Sequence, residues 1–456
     1  MSMSTSKPQR ELSDLVSKKS LRKSVVAGSI GVFVYWFDWA VYAYLAGTIA
    51  TVFFPDSDGT AGLLSAFAVF AISFLVRPIG AIIFGRLGDR LGRKQTLSIV
   101  ILAMALATLV LGLLPGYHSI GILAPILLIV TRVVQGLAAG GEFGSAAAFL
   151  GEFSPTRHRG FGVSWLEVGS LLGFLMASFT VVLLNLVFTT QEITDWAWRI
   201  PFLITVPLGF VGLYIRRKIE DTPDFQQLQQ LETVSHAPVK EVFQRNWREF
   251  LQTSGMEIFM NVTFYVVLVY LLTYQEVYIG FDAGRAALLS TLASALGLII
   301  VPLAGALSDR VGRKPVLMTA AIAQTALSIP LFMLMQSGEE WAAFVSTLGL
   351  ALILAIILGT HAVTVVELFP TRTRQTGLSI AYAVTAALFA GTAPYVLTWL
   401  LGETGNLLVP GFFLAAVGVV GIITVLSIPE TRGTSLIKPQ DLETATVDLP
   451  AELLEP

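Results

Sequence analysis

Eight ionisable residues stand inside long apolar stretches of this 456-residue sequence: Asp38, Arg77, Arg132, Glu142, Glu167, Glu257 and, toward one end of their stretch, His361 and Glu367. An ion within a hydrocarbon layer costs about 2.5–3.5 kcal/mol on insertion scales, so such positions are functional candidates by default. A carboxylate there carries a proton across when its surroundings tune its proton affinity to the pH on either side. Asp38, Glu142, Glu167 and Glu257 qualify by position and are taken in that order, with at least one expected to pair with an arginine instead. A guanidinium at such a depth can hold a substrate carboxylate. Arg77 reads equally as that group or as a structural partner of Asp38. Arg132, with Gln135 on its face, is as good a carboxylate anchor, or else an ion pair that fixes helix packing.

Aromatic residues crowd the first of these acids. Tyr35, Trp36, Phe37, Trp39, Tyr42 and Tyr44 surround Asp38, and Tyr35 and Tyr42, at i−3 and i+4, share its helical face. An interfacial belt accounts for rings in such numbers. A carboxylate flanked by two rings also suits a cation, since each aromatic face attracts a quaternary ammonium by about 0.5–2 kcal/mol. Trp165 beside Glu167, and Glu257, Asn261 and Phe264 at i, i+4 and i+7, offer similar faces. The set fits a small organic zwitterion better than a sugar, for which more Asn and Gln would be expected in the apolar stretches. Chemistry of other kinds has little to work with. The four histidines, His118, His158, His236 and His361, share no ligand spacing and there is no cysteine. No metal, no cofactor and no enzymatic activity are expected.

The elements that must position these residues are membrane helices. Hydrophobic residues make up 54% of the chain and charged ones 13%, with a mean hydropathy of +0.74, against about 25% charged in soluble domains. Apolar runs recur from Ser24 to Ile428, each long enough to cross a bilayer core of about 30 Å. Twelve spans are expected, near 24–51, 61–85, 95–114, 119–149, 161–187, 199–216, 248–275, 285–307, 315–335, 341–368, 375–401 and 407–428. Of the 29 Lys and Arg residues, 25 fall in the tails and in alternate loops. That places both termini in the cytoplasm, with the bilayer as the main partner and the plasma membrane as the location. The net charge of −2 and the scattered basic clusters exclude nucleic acid. The first 23 residues, with no A-x-A cleavage pattern before the first span, read as a cytoplasmic tail and not a signal peptide.

Gly85-Arg-Leu-Gly-Asp-Arg-Leu-Gly-Arg-Lys94 returns as Gly305-Ala-Leu-Ser-Asp-Arg-Val-Gly-Arg-Lys314, and Pro155-Thr-Arg-His-Arg159 as Pro370-Thr-Arg-Thr-Arg374. The chain thus divides into a cytoplasmic tail 1–23, a six-helix half 24–216, a cytoplasmic linker 217–247, a second six-helix half 248–428 and a tail 429–456. Parallel repeats of this kind hold substrate between the halves near midplane. Keeping the loops inside explains the basic residues by sign alone, but not Asp89 and Asp309 at matching positions. A carboxylate beside helix ends with guanidinium groups in reach can latch neighbouring helices. Asp89, Arg90, Arg93, Asp309, Arg310 and Arg313 are the expected latch, remote from substrate.

The duplicated G-x-x-x-D-R-x-G-R-K loop resembles the signature of the major facilitator superfamily, over residues 24–435. Trp36-Phe-Asp38, Phe74-Leu-Val-Arg-Pro-Ile-Gly80, Asp195-Trp-Ala-Trp-Arg-Ile-Pro201 and Glu367-Leu-Phe-Pro-Thr-Arg372 resemble the metabolite:proton symporters. Phe53-Phe-Pro-Asp56, Ser164-Trp-Leu-Glu-Val-Gly-Ser170 and Asn261-Val-Thr-Phe-Tyr265 are most similar to the proline/glycine betaine transporters among them. The resemblance implies proton-coupled import of a compatible solute such as proline, glycine betaine or ectoine by alternating access, in a chain expected to act as a monomer. The alternative is a di- or tricarboxylate or an aromatic acid, favoured by two arginines and disfavoured by the surplus of buried acids. Osmosensing members of that family carry a long C-terminal coiled coil. Residues after 428 have no heptads, a departure from that pattern, so the resemblance does not extend to osmosensing.

Overall fold

A backbone in lipid must satisfy its own hydrogen bonds, and the sequence does so with helices. The computed structural model describes residues 18–55, 59–217, 238–281, 283–438 and 441, and among them there is no strand. Most of the expected tail 1–23 lies outside the described residues, and α1 already begins within it at Lys18; most of the linker 217–247 and of the tail 429–456 lie outside them too.

The first half contains α1 (Lys18–Tyr44, continued as Ala46–Phe53), α2 (Gly59–Leu75, continued as Arg77–Leu91), α3 (Arg93–Leu113), α4 (Leu123–Phe153), α5 (Arg159–Val187) and α6 (Arg199–Arg217). The second contains α7 (Trp247–Tyr265, continued to Ile279), α8 (Ala283–Val311), α9 (Arg313–Met335), α10 (Glu340–Leu368), α11 (Arg374–Thr385, continued to Thr404) and α12 (Val409–Ser427). Ten of these have the length and hydropathy of a span. Helix α1 becomes the eleventh when its two pieces, bent by 66°, are taken together, and α6 has a shorter apolar stretch, Arg199–Phe210. Pro78 cannot donate to the carbonyl four residues back, and α2 breaks at Val76 and restarts at Arg77. Large apolar side chains such as Leu186, Val277, Leu303 and Ile423 face outward, as lipid-facing surface requires.

The loops expected over 86–94 and 310–314 are mostly helix. Single glycines make the turns, Gly92 at φ 102° and Gly312 at φ 107°, backbone that a side chain would strain. The first glycine of each motif has a different task. A Cβ on Gly85 would lie 2.9 Å from Thr376 Cα on α11, and one on Gly305 would lie 2.6 Å from the carbonyl oxygen of Gly160 on α5. Each half therefore lays its second helix against the fifth helix of the other, α2 on α11 and α8 on α5.

Helices α7 and α11 each contain π-helical turns midway, Val266–Tyr270 and Ala386–Ala390. An extra residue in a turn is most often found beside functional sites.

Candidate functional site

Asp38 on α1 is the hub of a polar cluster inside the first half. Thr108 Oγ1 on α3 donates to its Oδ1 at 3.1 Å and Gln135 Nε2 on α4 to its Oδ2 at 3.0 Å. Its arginine is Arg132, with Nη1 3.5 Å from Oδ2, and both residues are buried. The alternative pairing of Asp38 with Arg77 is therefore not the one adopted. The Arg132 guanidinium lies 3.7 Å from the centre of the Tyr42 ring, and the Tyr42 hydroxyl donates to the carbonyl of Ala66 at 3.0 Å. The Tyr42 face expected to meet a substrate cation is covered by this arginine. Tyr35, Asp38, Thr108 and Glu142 share the wall of a small internal cavity. Glycines on α4 account for its closeness to α2: a Cβ on Gly136 or Gly140 would lie 2.2 or 2.1 Å from the backbone oxygen of Ser73 or Arg77.

Arg77 is held differently. It is fully buried, and its Nε, Nη1 and Nη2 meet no partner at hydrogen-bonding geometry among the described residues, with the Tyr265 side chain within interaction range. Its planar face is packed by rings, with Phe74, Trp39 and Tyr35 centred 3.7, 4.2 and 5.8 Å from the guanidinium carbon. These rings continue across the boundary between the halves. Trp36 of α1 lies 5.2 Å from Phe264 and 6.4 Å from Tyr265, both on α7, and 5.4 Å from Phe174 of α5. Phe264 is thus joined to the aromatic centre around Trp36. Trp165 is not: it is half-buried and packs edge-on against Phe161, its neighbour on α5.

A second ionisable group spans the halves. Asn261 Nδ2 donates to Glu257 Oε2 at 3.4 Å along α7, and Glu257 Oε1 faces His361 Nε2 of α10 at 3.4 Å. Glu167 of α5 is within electrostatic reach of both. Sequence analysis places His361 only toward the end of its span. Its meeting with two acids depends on how three helices are rotated, which spacing does not reveal.

The end of the bundle that carries the repeated motifs is closed by crossed links. Asp89 accepts from the backbone N–H groups of Gln375 and Thr376 at the start of α11, at 3.3 and 2.8 Å. Asp309 accepts from Gly160 and Phe161 at the start of α5, at 2.8 and 2.9 Å, and from Arg313 Nη1 at 2.7 Å. Arg90 and Arg310 are exposed at this end, and Arg93 begins α3. Two further pairs, which sequence reasoning missed, lie alongside: Arg159 to Glu367 at 3.1 Å and Arg374 to Glu152 at 2.7 Å, all four residues buried. The signal was present, because each arginine ends a Pro-Thr-Arg-x-Arg repeat and a glutamate stands seven residues before it in both copies. Arg313 also reaches Glu367, and the segment after α12 lies over the network. There the carbonyl of Thr434 accepts from Arg159, and that of Leu436 from Arg374. Asp441 caps the amides of Thr371 and Arg372, and burial holds its carboxyl above the usual carboxylate range despite those donors.

Two crossed helical halves with buried charges between them define a multi-pass membrane transporter. The chain belongs to the Major Facilitator Superfamily, whose model matches residues 28–386 and 253–444. It is 38% identical over 432 residues to a proline/betaine transporter of Escherichia coli K12, covering 92% of this chain and 86% of that one. It is 37% identical to the glycine betaine/proline/ectoine/pipecolic acid transporter OusA of Dickeya dadantii, with the same coverage. A putative proline/betaine transporter of Staphylococcus aureus is 37% identical over 440 residues, 94% of this chain and 92% of that one. Among solved structures, the proton:xylose symporter XylE bound to 6-bromo-6-deoxy-D-glucose superposes with a TM-score of 0.76 at 18% identity, covering 94% of this chain and 99% of that one. That likeness is one of fold.

Proposed function

We propose that the protein is a proton-coupled symporter importing a small zwitterionic compatible solute, proline, glycine betaine or ectoine, by alternating access. The observation that carries the reading is Arg77. Its buried guanidinium has three nitrogens without hydrogen-bond partners, among rings that extend across both halves. A buried donor set left unpaired is costly, and a substrate carboxylate satisfies it with charge-assisted hydrogen bonds. The substrate ammonium then meets the aromatic faces of Trp36 and Phe264. The printed names of the relatives support the same class of solute. A dicarboxylate would need a second open cation, and the guanidinium of Arg132 is already turned to Asp38 and Tyr42.

The closed end and both termini lie in the cytoplasm, a reading the basic loops support, and the protein works as a monomer in the bacterial cytoplasmic membrane. Asp89 and Asp309 with their partners latch that end. Proton coupling rests on buried acids with no evident sodium site. Uptake of labelled proline and betaine into proteoliposomes should follow an inward proton gradient, collapse with a protonophore and be undisturbed by excess citrate. Uptake that tracks a sodium gradient under protonophore would overturn the coupling, and saturable uptake of citrate alone would overturn the substrate class.

A further inference from the structure

The charges at midplane are unequally engaged. Asp38 is hydrogen-bonded by Thr108 and Gln135 and faces Arg132, so its two oxygens have their partners within the first half. Among the described residues, no arginine is among the charges that act on Glu167 or His361. Glu257 Oε1 and both ring nitrogens of His361 are buried without hydrogen-bond partners, and the imidazole is fully enclosed. Phe143 of α4 stacks on the imidazole at 5.6 Å and Tyr382 of α11 stacks on Phe143 at 4.3 Å. The ionisable groups acting on His361 are Glu257 from α7 and Glu167 from α5, with Tyr382 the next layer on α11 and Glu142 beside Phe143 on α4.

With a neutral imidazole this cluster buries two carboxylates within electrostatic reach of each other. One added proton, shared over three groups, leaves a single net charge and makes the 3.4 Å contact charge-assisted when the imidazole holds it. The cluster also straddles the moving boundary, because Glu167 belongs to the first half and His361 and Glu257 to the second. Helix α7 connects it to the substrate rings, carrying Glu257, Asn261 and Phe264 along one face.

Building on the symport reading above, we infer that His361 is the carrier of the coupling proton, exchanging it with Glu167 across the two halves and with Glu257 within its own. In the first step the Glu167 carboxylic O–H bond breaks and an imidazole N–H bond forms, leaving a carboxylate and an imidazolium. In the second the imidazolium N–H bond breaks and Glu257 gains the O–H, restoring neutral imidazole. The charge moves with the proton and no other reactant is needed. Rocking of the halves separates Glu167 from the His361–Glu257 pair, so proton transfer between them is tied to the conformational cycle.

The test compares two activities of one purified variant in proteoliposomes. His361→Gln is expected to lose proton-driven accumulation of proline by at least tenfold while exchanging internal for external proline at a rate within about threefold of the parent. Proline addition should draw protons from a weakly buffered solution of the parent and not of the variant. Gradient-driven accumulation at the parent level in His361→Gln overturns the assignment. Should that variant not fold, Glu167→Gln carries the same prediction, since it removes the partner in the other half. If the parent itself exchanges neither proline nor betaine, the symport reading falls. The cluster is then judged on the NMR titration of the His361 imidazole, where a midpoint unmoved by Glu167→Gln overturns it.

Discussion

The end of the bundle that carries the repeated motifs buries many charges, and it treats them in the opposite way from Arg77 and His361 deeper in the spans. At the closed end the carboxylates meet guanidinium groups or backbone N–H donors: Glu367 holds Arg159, Arg313 and Thr431, Glu152 holds Arg374, and Asp89 and Asp309 cap helix starts. Deeper in the spans, the nitrogens of Arg77 and His361 have no hydrogen-bond partner among the described residues, and His361 Nε2 only faces Glu257 Oε1 at 3.4 Å. A satisfied buried network fixes one arrangement, whereas an unsatisfied one is completed by whatever arrives with the missing donor or acceptor. Under the function proposed above, the first serves as a gate and the second as a site.

The largest effect should come from breaking the gate. Arg374→Gln leaves Glu152 buried against an uncharged side chain, a loss of about 3–5 kcal/mol to the closed arrangement. Because the chain has no native cysteine, a single cysteine placed on the gate-facing side of α10 reports opening through its labelling rate, expected to rise at least tenfold. An unchanged rate would mean that the crossed pairs do not hold the end shut.

Next comes Arg77→Gln, which removes a cation without touching the gate. Loss of a charge-assisted anchor of about 2–4 kcal/mol weakens proline binding by roughly 30- to 1,000-fold. Calorimetric affinity near that of the parent would remove Arg77 from the site. Smaller again is the aromatic contribution, at about 1–2 kcal/mol per ring, or a 5- to 30-fold loss of betaine affinity in Trp36→Ala. Tyr42→Ala should cost less than Trp36→Ala, since its ring already serves Arg132. The reverse ranking would move the cation site to the Asp38 cluster. The smallest effect on affinity belongs to Asp89→Asn, which keeps an acceptor for the α11 amides but loses charge at a helix start, about 0.5–1 kcal/mol. Transport should slow while equilibrium binding stays within a few-fold; a large loss of binding would show that the loop is more than a gate.

The fold was legible because lipid leaves the sequence few choices, and the motif repeats exposed the two halves. Span ends were less so: Arg86 and Arg90 look like loop residues, yet α2 carries them as helix, since Gly92 alone suffices for the turn. Site residues were legible as types and not as partners. Position in the spans selected Asp38, Arg77 and Arg132 equally, and only the rotation of α1, α2 and α4 decides which arginine meets Asp38. The partners of Arg159 and Arg374 are more than 200 residues away, a separation at which local spacing carries no information.

The two bridges at the gate follow the rule of a two-fold symmetric dimer, in which residue i of one copy meets j of the other and j meets i. Glutamate seven residues before arginine, used once from each side, is all such an isologous contact needs. In a half-length chain that paired with itself, one substitution would alter both bridges together. Fusion into a single polypeptide removes that constraint and lets the copies drift apart. Around Glu367 the second bridge has Arg313 and Thr431 as further ligands, so two bridges of one pattern sit in unlike surroundings.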